Sequence, residues 1–256
     1  MLLAEGGVSG ARAKVFAARL AALGPRPAGS NNERRAAAIV GGELRKLGYR
    51  VSLQRVRLPG GGSSRNVVGL TPGRIRALVV AHLDGVSEGP AANDNASGVA
   101  AMLEVARALR GTRGLLIAAL GAEERVETGS SIHLGSARLL RGLSDAGRRR
   151  IRVALSLDMV GVGPSLHVRG VEPVPNRSAR AALARARALG IRATYLSGSD
   201  SDHAEMTRGG LPAAWLQWHW DVCWHEACDR ASRLSAPRLE AAARLALATV
   251  RRALDR

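Results

Sequence analysis

Two rhythms of apolar and polar positions alternate along the chain. Residues 11–23 and 31–47 bring apolar side chains round every three or four positions, which predicts two amphipathic helices. The second begins after Ser30, a suitable N-cap, and stops at Gly48, a suitable residue just past a helix end. Strand-like runs follow at 49–58, 65–70 and 75–82. The glycines and serines between the first two runs make a turn too short for an interdomain linker. Beyond them the pattern predicts helix 96–110, strand 114–120, helix 131–142 and strand 151–158. A short strand at 165–169, helix 177–189, strand 192–196, helix 202–208, strand 212–219 and terminal helix 236–254 complete it. Runs apolar throughout, such as LLIAAL at 115–120, belong in a sheet covered on both faces. The expected architecture is α/β: one three-layer α/β/α domain over residues 1–256, with a mixed, mostly parallel central sheet.

Composition narrows the partners. The chain of 256 residues is 46% hydrophobic, and no run of about 18 apolar residues occurs, so no membrane-spanning helix is expected. Met1, Leu2 and Leu3 give way at once to Glu5, Gly6 and Gly7, too few apolar residues for a secretory leader. A cytoplasmic location is the expectation. In that reducing compartment the only two cysteines, Cys223 and Cys228, are expected as free thiols, near enough for oxidation to link them. The net charge of +17 would suit a nucleic-acid partner, but its distribution argues otherwise. Only Lys14 and Lys46 are lysines; the remaining basic residues are arginines scattered through every segment, and aromatics make up 3%. That pattern fits arginine bias on solvated faces, with no specific nucleic-acid partner and no membrane partner.

The polar residues that interrupt the apolar runs carry the chemistry. Strand 75–82 ends in His82 and is followed by Asp84, strand 114–120 by Glu123 and Glu124, and strand 151–158 ends in Asp158. Asn93-Asp94-Asn95 precedes helix 96–110, and His225 follows the strand at 212–219. In open α/β sheets ligands gather beyond the carboxyl ends of strands. Two imidazoles and several carboxylates at that edge suit a pair of zinc or similar divalent ions. Singly, each residue has a plainer reading: Asp94 as a helix cap, Glu123-Glu124 as a solvated turn, His82 as a hydrogen-bonded histidine.

Five stretches, AHLDG with GPAANDNASGVAAMLEVARAL, GAEE, SLDMVG, GSDSDH with GGLPA, and WHEACD, follow in order along nearly the whole chain. In this the sequence resembles the double-zinc aminopeptidases, relatives of glutamate carboxypeptidases, glutaminyl cyclases and the transferrin-receptor ectodomain. The resemblance implies that His82 and Asp158 hold one metal, Glu124 and His225 the other, and that Asp94 bridges them. It implies further that Asp84 bonds the far nitrogen of His82, that Glu123 is the general base, and that a cis peptide follows Asp94. Two metals sharing a water lower its pKa and polarise a carbonyl, and a neighbouring carboxylate can move its proton. The implied activity is removal of N-terminal residues from a peptide with a free amino terminus, through two zinc ions. Glutaminyl cyclisation, other amide processing and a silent binding module are the alternatives. His203 is expected to line the substrate site and Trp224 to wall it; Trp215, Trp218 and Trp220 are assigned to a core strand, and His133, His167 and His219 to structural roles. Two departures bear on specificity. Leu83-Asp84-Gly85 stands where the family often has Tyr-Asp-Ser, and Met206 where it often has an aromatic.

Overall fold

Apolar runs of β character flanked by amphipathic helices must bury both faces of one sheet, and the chain does so. The computed structural model describes residues 7–124 and 132–255. The leader reading at residues 1–6 and the start of the helix expected at 131–142 lie outside the described residues. The helices are α1 (Gly10–Ala21), α2 (Asn31–Lys46), α3 (Gly98–Ala108), α4 (Leu134–Arg141), α5 (Asp145–Arg150), α6 (Arg177–Ala188), α7 (His203–Arg208) and α8 (Ala236–Leu254). The strands are β1 (Arg50–Arg57), β2 (Ser63–Leu70), β3 (Ala77–His82), β4 (Leu115–Leu120), β5 (Val153–Leu157), β6 (Ser165–Gly170), β7 (Thr194–Ser197) and β8 (Ala213–His219).

All eight strands form one sheet in the order β1-β2-β4-β3-β5-β8-β6-β7. The central strands β4, β3, β5 and β8 run parallel, while β1 and β2 at one side, and β6 against β8, supply the antiparallel pairs. Alternate residues of the same strands enter two separate cores. Val79, Ile117, Leu155 and Leu216 pack beneath α1, α2, α3, α6 and α8. Leu78, Val80, Leu116 and Ala154 pack with Leu139 and Leu140 of α4 and Met206 of α7. This period-two partition makes the three layers expected from the sequence. The sequence pattern did not signal α5: six residues with no apolar stripe, none of them buried, capped by Ser144 accepting from the Gly147 amide. Among the described residues no helix is long and apolar enough to cross a membrane.

Parallel pairing fixes what the fold offers for chemistry. Because β3, β4, β5 and β8 point the same way, His82, the Glu123-Glu124 pair, Asp158 and the loop after β8 all emerge at one sheet edge.

Candidate metal centre

The turn that carries Asp94, residues Ala92–Ser97, is irregular, and its polar atoms are tied down one by one. The Asp229 carboxylate accepts the backbone amides of Asn93 at 2.7 Å and Asp94 at 3.0 Å. The Asn93 side chain donates to Asp221 and accepts from the Gly161 amide. Asn95 donates to the Leu157 carbonyl and accepts from the Gly98 amide, so Asn95 rather than Asp94 caps α3. At Gly98 a Cβ would stand 2.0 Å from the Leu157 carbonyl oxygen, so only glycine lets α3 approach β5 this closely. The peptide between Asp94 and Asn95 is cis, as the resemblance implies; a second cis peptide joins His219 to Trp220.

The Asp94 carboxylate reaches two histidines with different oxygens. Its Oδ1 lies 3.0 Å from His82 Nε2 and its Oδ2 lies 3.3 Å from His225 Nε2. Asp158 Oδ1 is 3.3 Å from His82 Nε2, and Glu124 Oε2 is 3.0 Å from His225 Nε2. The structure thus brings together all five residues that the sequence suggested as ligands. Two tetrahedral ligands about 2.0–2.1 Å from one zinc are about 3.3 Å apart, close to the separations seen here. The electrostatics also fit cations. Burial and the charge of Asp94 push Glu124 up to about 7, with His225 opposing. Burial likewise raises Asp158, against the pull of His82. Burial disfavours charge on His225, but Asp94 and Glu124 outweigh it and raise the ring to about 10. A buried carboxylate cluster of this kind is relieved by divalent ions, and Glu124 Oε1, buried and without a hydrogen-bond partner, has an acceptor to spare.

Glu123 lies beside this group. Its carboxyl is raised well above the ordinary range by burial, reinforced by Glu124, Asp202 and Asp158 and opposed by His82. Its Oε1 faces His133 Nε2 at 3.2 Å, which brings to the site a histidine that the sequence reading had made purely structural. Glu123, His82 and Asp158 also have donor atoms within 4.8 Å of one another, so distance alone does not separate Glu123 from the ligand set. Asp84 departs from expectation. Its Oδ1 is 3.8 Å from His82 Nδ1, beyond hydrogen-bond length, and that nitrogen has no partner. The two Asp84 oxygens instead accept the backbone amides of Glu123 and Glu124, each at 3.1 Å, so Asp84 holds the turn that presents the glutamates.

All five non-glycine residues with positive φ among the described residues adjoin this centre: Ala91, Ala122, His133, Met159 and His225. Such backbone is sparsely populated and collects at functional sites, where surrounding contacts hold it.

A cavity of about 300 Å³ opens onto the cluster, with Met159, Arg169, Gln217, His219, Trp220 and Trp224 among its lining residues. Trp224 is where the sequence put it. Trp220 is not in a core strand: β8 ends at His219, and Trp220 turns out of the sheet to line the cavity, 49% exposed. His219 lines it too, in place of a purely structural role. His203 does not line it. It is fully buried, donates from Nε2 to the Gly198 carbonyl at 2.8 Å, and is pulled down to about 4 by burial. The thiol expectation is also corrected: Cys223 and Cys228 form a disulfide around His225. Asp221 Oδ1 accepts the Cys223 amide, and turns from Cys223 to Glu226 and Glu226 to Asp229 fold the loop back. This brings the two Cα atoms to 5.4 Å, within the bridging range.

The sequence reading also missed Arg26, Asp221 and Asp229. Arg26 is wholly buried between Pro25 and Pro27 and donates only to backbone carbonyls, among them those of Leu83, Pro90 and Ala91.

Comparison with known proteins agrees with this geometry. Aminopeptidase YwaD of Bacillus subtilis is 30% identical over 213 residues, 76% of this chain and 46% of that protein. The chain spans about half the length of the curated relatives it matches. Among solved structures, a zinc aminopeptidase from Bacillus subtilis superposes with a TM-score of 0.89 at 20% identity, covering 96% of this chain and 95% of that one. A glutaminyl cyclase from Porphyromonas gingivalis superposes with a TM-score of 0.83 at 25% identity, covering 97% and 98%. The family model of peptidase family M28 matches residues 66–250, and the chain belongs to that family.

Proposed function

We propose that the protein is a zinc-dependent aminopeptidase that removes N-terminal residues from peptides, using two zinc ions and Glu123 as general base, with residues 1–256 acting as one catalytic domain. The observation that carries this reading is the Asp94 carboxylate, whose two oxygens address two different imidazoles. In it His82 and Asp158 would hold one zinc and Glu124 and His225 the other, with Asp94 placed to serve both. Zinc bound there would polarise the scissile carbonyl and make water a nucleophile near neutral pH. Glu123 is placed to accept a proton from the attacking water and to hand it to the leaving amine, and burial raises its affinity for that proton. His133 orients the carboxyl through its 3.2 Å contact, and Asp84 fixes the backbone on which Glu123 and Glu124 stand. Trp220 and Trp224 shield the cavity beside His225, so that the substrate side chain displaces water there. The names of the Bacillus relatives, an aminopeptidase and a zinc aminopeptidase, support the same reading.

Metal analysis of the purified protein is expected to give two zinc ions per chain, and a free-amine aminoacyl anilide to turn over while its N-blocked analogue does not. Glu123→Gln is expected to keep the zinc and lose about 10²–10⁴-fold in kcat. One zinc ion at saturation, or equal turnover of the blocked substrate, would overturn the proposal; near-normal turnover by the variant would remove Glu123 as the base.

Likeness to a glutaminyl cyclase at 25% identity favours a second reading on the same site, in which the amine of an N-terminal glutamine attacks its own side-chain amide. Release of ammonia from glutaminyl peptides without peptide-bond cleavage would select it.

A further inference from the structure

At the opposite edge of the sheet, where β5 begins, a cleft of about 640 Å³ opens between α6 and α8. That volume lies in the range of small-molecule sites. Val153, Ala181 and Ala184 are among its apolar lining residues, while Arg152, Arg177, Arg180, Arg185 and Arg252 surround it, and no acidic residue lines it. Among the described residues none of these five arginines belongs to an ion pair, although elsewhere Arg12, Arg19, Arg107, Arg169, Arg208 and Arg233 do.

Arginine is abundant throughout the chain, so abundance alone would mean nothing. Arg185 and Arg252 sit in the last turns of α6 and α8, where a cation complements the helix dipole and needs no ligand. The other three are placed differently. Arg177 and Arg180 lie at the opening of α6, whose first turn has no acidic residue, and there the dipole disfavours positive charge. Each reaches one carbonyl, of Ile151 and Pro175 respectively, and each keeps further donors. Arg152 has a buried Nη1 with no partner among the described residues. A buried donor left unpaired and cations at a helix start both cost stability, and one bound anion would relieve both.

We infer that this cleft binds a multiply charged phosphate compound, either a bare polyphosphate chain or a nucleoside polyphosphate. Guanidinium forks match phosphate oxygens in pairs, and only an anion with several charges in a few ångströms answers five arginines in so small a volume. A single-stranded nucleic acid is disfavoured because no aromatic lines the cleft to stack a base run. The site is separate from the metal centre, since Asp158 follows the other end of β5.

The test is calorimetric titration of the zinc-loaded protein with inorganic tripolyphosphate and with ATP, at two salt concentrations. Zinc content is measured before and after, because polyphosphates also bind divalent ions. Saturable one-to-one binding that weakens with salt is expected. The triple variant Arg152→Gln, Arg177→Gln, Arg180→Gln is expected to lose at least about tenfold in affinity. The charge-matched variant Arg50→Gln, Arg55→Gln, Arg57→Gln on the edge strand β1 is expected to bind as the parent does. Tighter binding of ATP would assign a nucleoside polyphosphate with its base on the apolar floor; equal binding would assign the phosphate chain. Equal loss in both triple variants, absence of saturation, or heat that tracks only zinc removal would overturn the inference. Unchanged peptidase turnover and circular dichroism in the cleft variant exclude misfolding as the cause of its loss.

Discussion

Replacing Arg26 with alanine removes a cation that ties together three parts of the metal-centre scaffold. Its guanidinium donates to the carbonyls of Leu83 at 3.1 Å, Pro90 at 2.7 Å and Ala91 at 2.8 Å, with a longer contact of 3.4 Å to Leu20. Leu83 stands between His82 and Asp84, and Pro90 and Ala91 lead into the turn that carries Asp94. Hydrogen bonds from a charged donor contribute about 1.5–3 kcal/mol each, so the three short ones give a gross gain of about 5–9 kcal/mol. Desolvating the charge takes back several kcal/mol. The same burial lowers the Arg26 pKa to about 10, with Asp84, Asp229 and Asp94 opposing, so the group stays charged at neutral pH. Alanine also takes the Arg26 donor from the carbonyls of Leu83 and Pro90, while that of Ala91 keeps the Ala96 amide, and the expected loss is about 3–5 kcal/mol, as for breaking a buried charge network. At about 2–4 °C per kcal/mol for a chain of this size, the melting temperature should fall by about 6–20 °C. Lysine retains the charge but not the fork, and one ammonium cannot reach carbonyls on both sides, so Arg26→Lys should recover less than half. Thermal unfolding by circular dichroism, with zinc affinity measured by chelator competition, reads both effects. If Arg26→Ala melts within about 2 °C of the parent and binds zinc equally well, the scaffold does not depend on this cation.

Asp229→Ala frees the amides of Asn93 and Asp94 and is expected to weaken zinc binding about 10–100-fold, checked by the same competition assay; unchanged affinity would mean the turn holds itself. Cys223→Ser with Cys228→Ser opens a loop whose ends are five positions apart in sequence, worth about 2 kcal/mol of closure entropy, and should lower both stability and zinc retention. Thiol titration of the unreduced, denatured protein should find no reactive thiol, and two would show the bridge does not form. Glu33 is raised from 4.5 to about 7 by burial and by Asp84, against hydrogen bonds from Ser64 and Gly29. The folded state therefore holds this proton after the unfolded chain has lost it, and stability should fall by about 3 kcal/mol as pH rises from 4.5 to 7. Urea unfolding across that window should show a shallower slope for Glu33→Gln, and identical slopes would contradict the assignment.

What the sequence could reveal depended on whether a residue's role leaves a mark on the local pattern. His82, Asp158 and the Glu123-Glu124 pair interrupt apolar runs where a parallel strand must end, so strand direction alone gathers them at one edge. His225 follows no such rule, and its loop after β8 could be matched only through the resemblance. Arg26 and Asp229 bond to backbone atoms of distant segments, and nothing in an arginine-rich chain distinguishes one arginine from the rest. Trp220 misled because an aromatic beside a strand suggests core, whereas the strand ends one residue earlier and the ring leaves the sheet. His203 misled in the opposite sense: the likeness of GSDSDH to a family segment suggested the cavity, but its ring donates to the Gly198 carbonyl and is fully buried. The cysteines show the same limit, since whether Cys223 meets Cys228 is decided by the turns anchored on Asp221 and Glu226. Residues that touch their neighbours in sequence, or end an element, were legible, while those acting across the fold became so only once the sheet order was known. The five arginines of the second cleft belong to this last kind, because the residue before β5 and the helices α6 and α8 contribute them from separate stretches of the chain and only their packing makes them one surface.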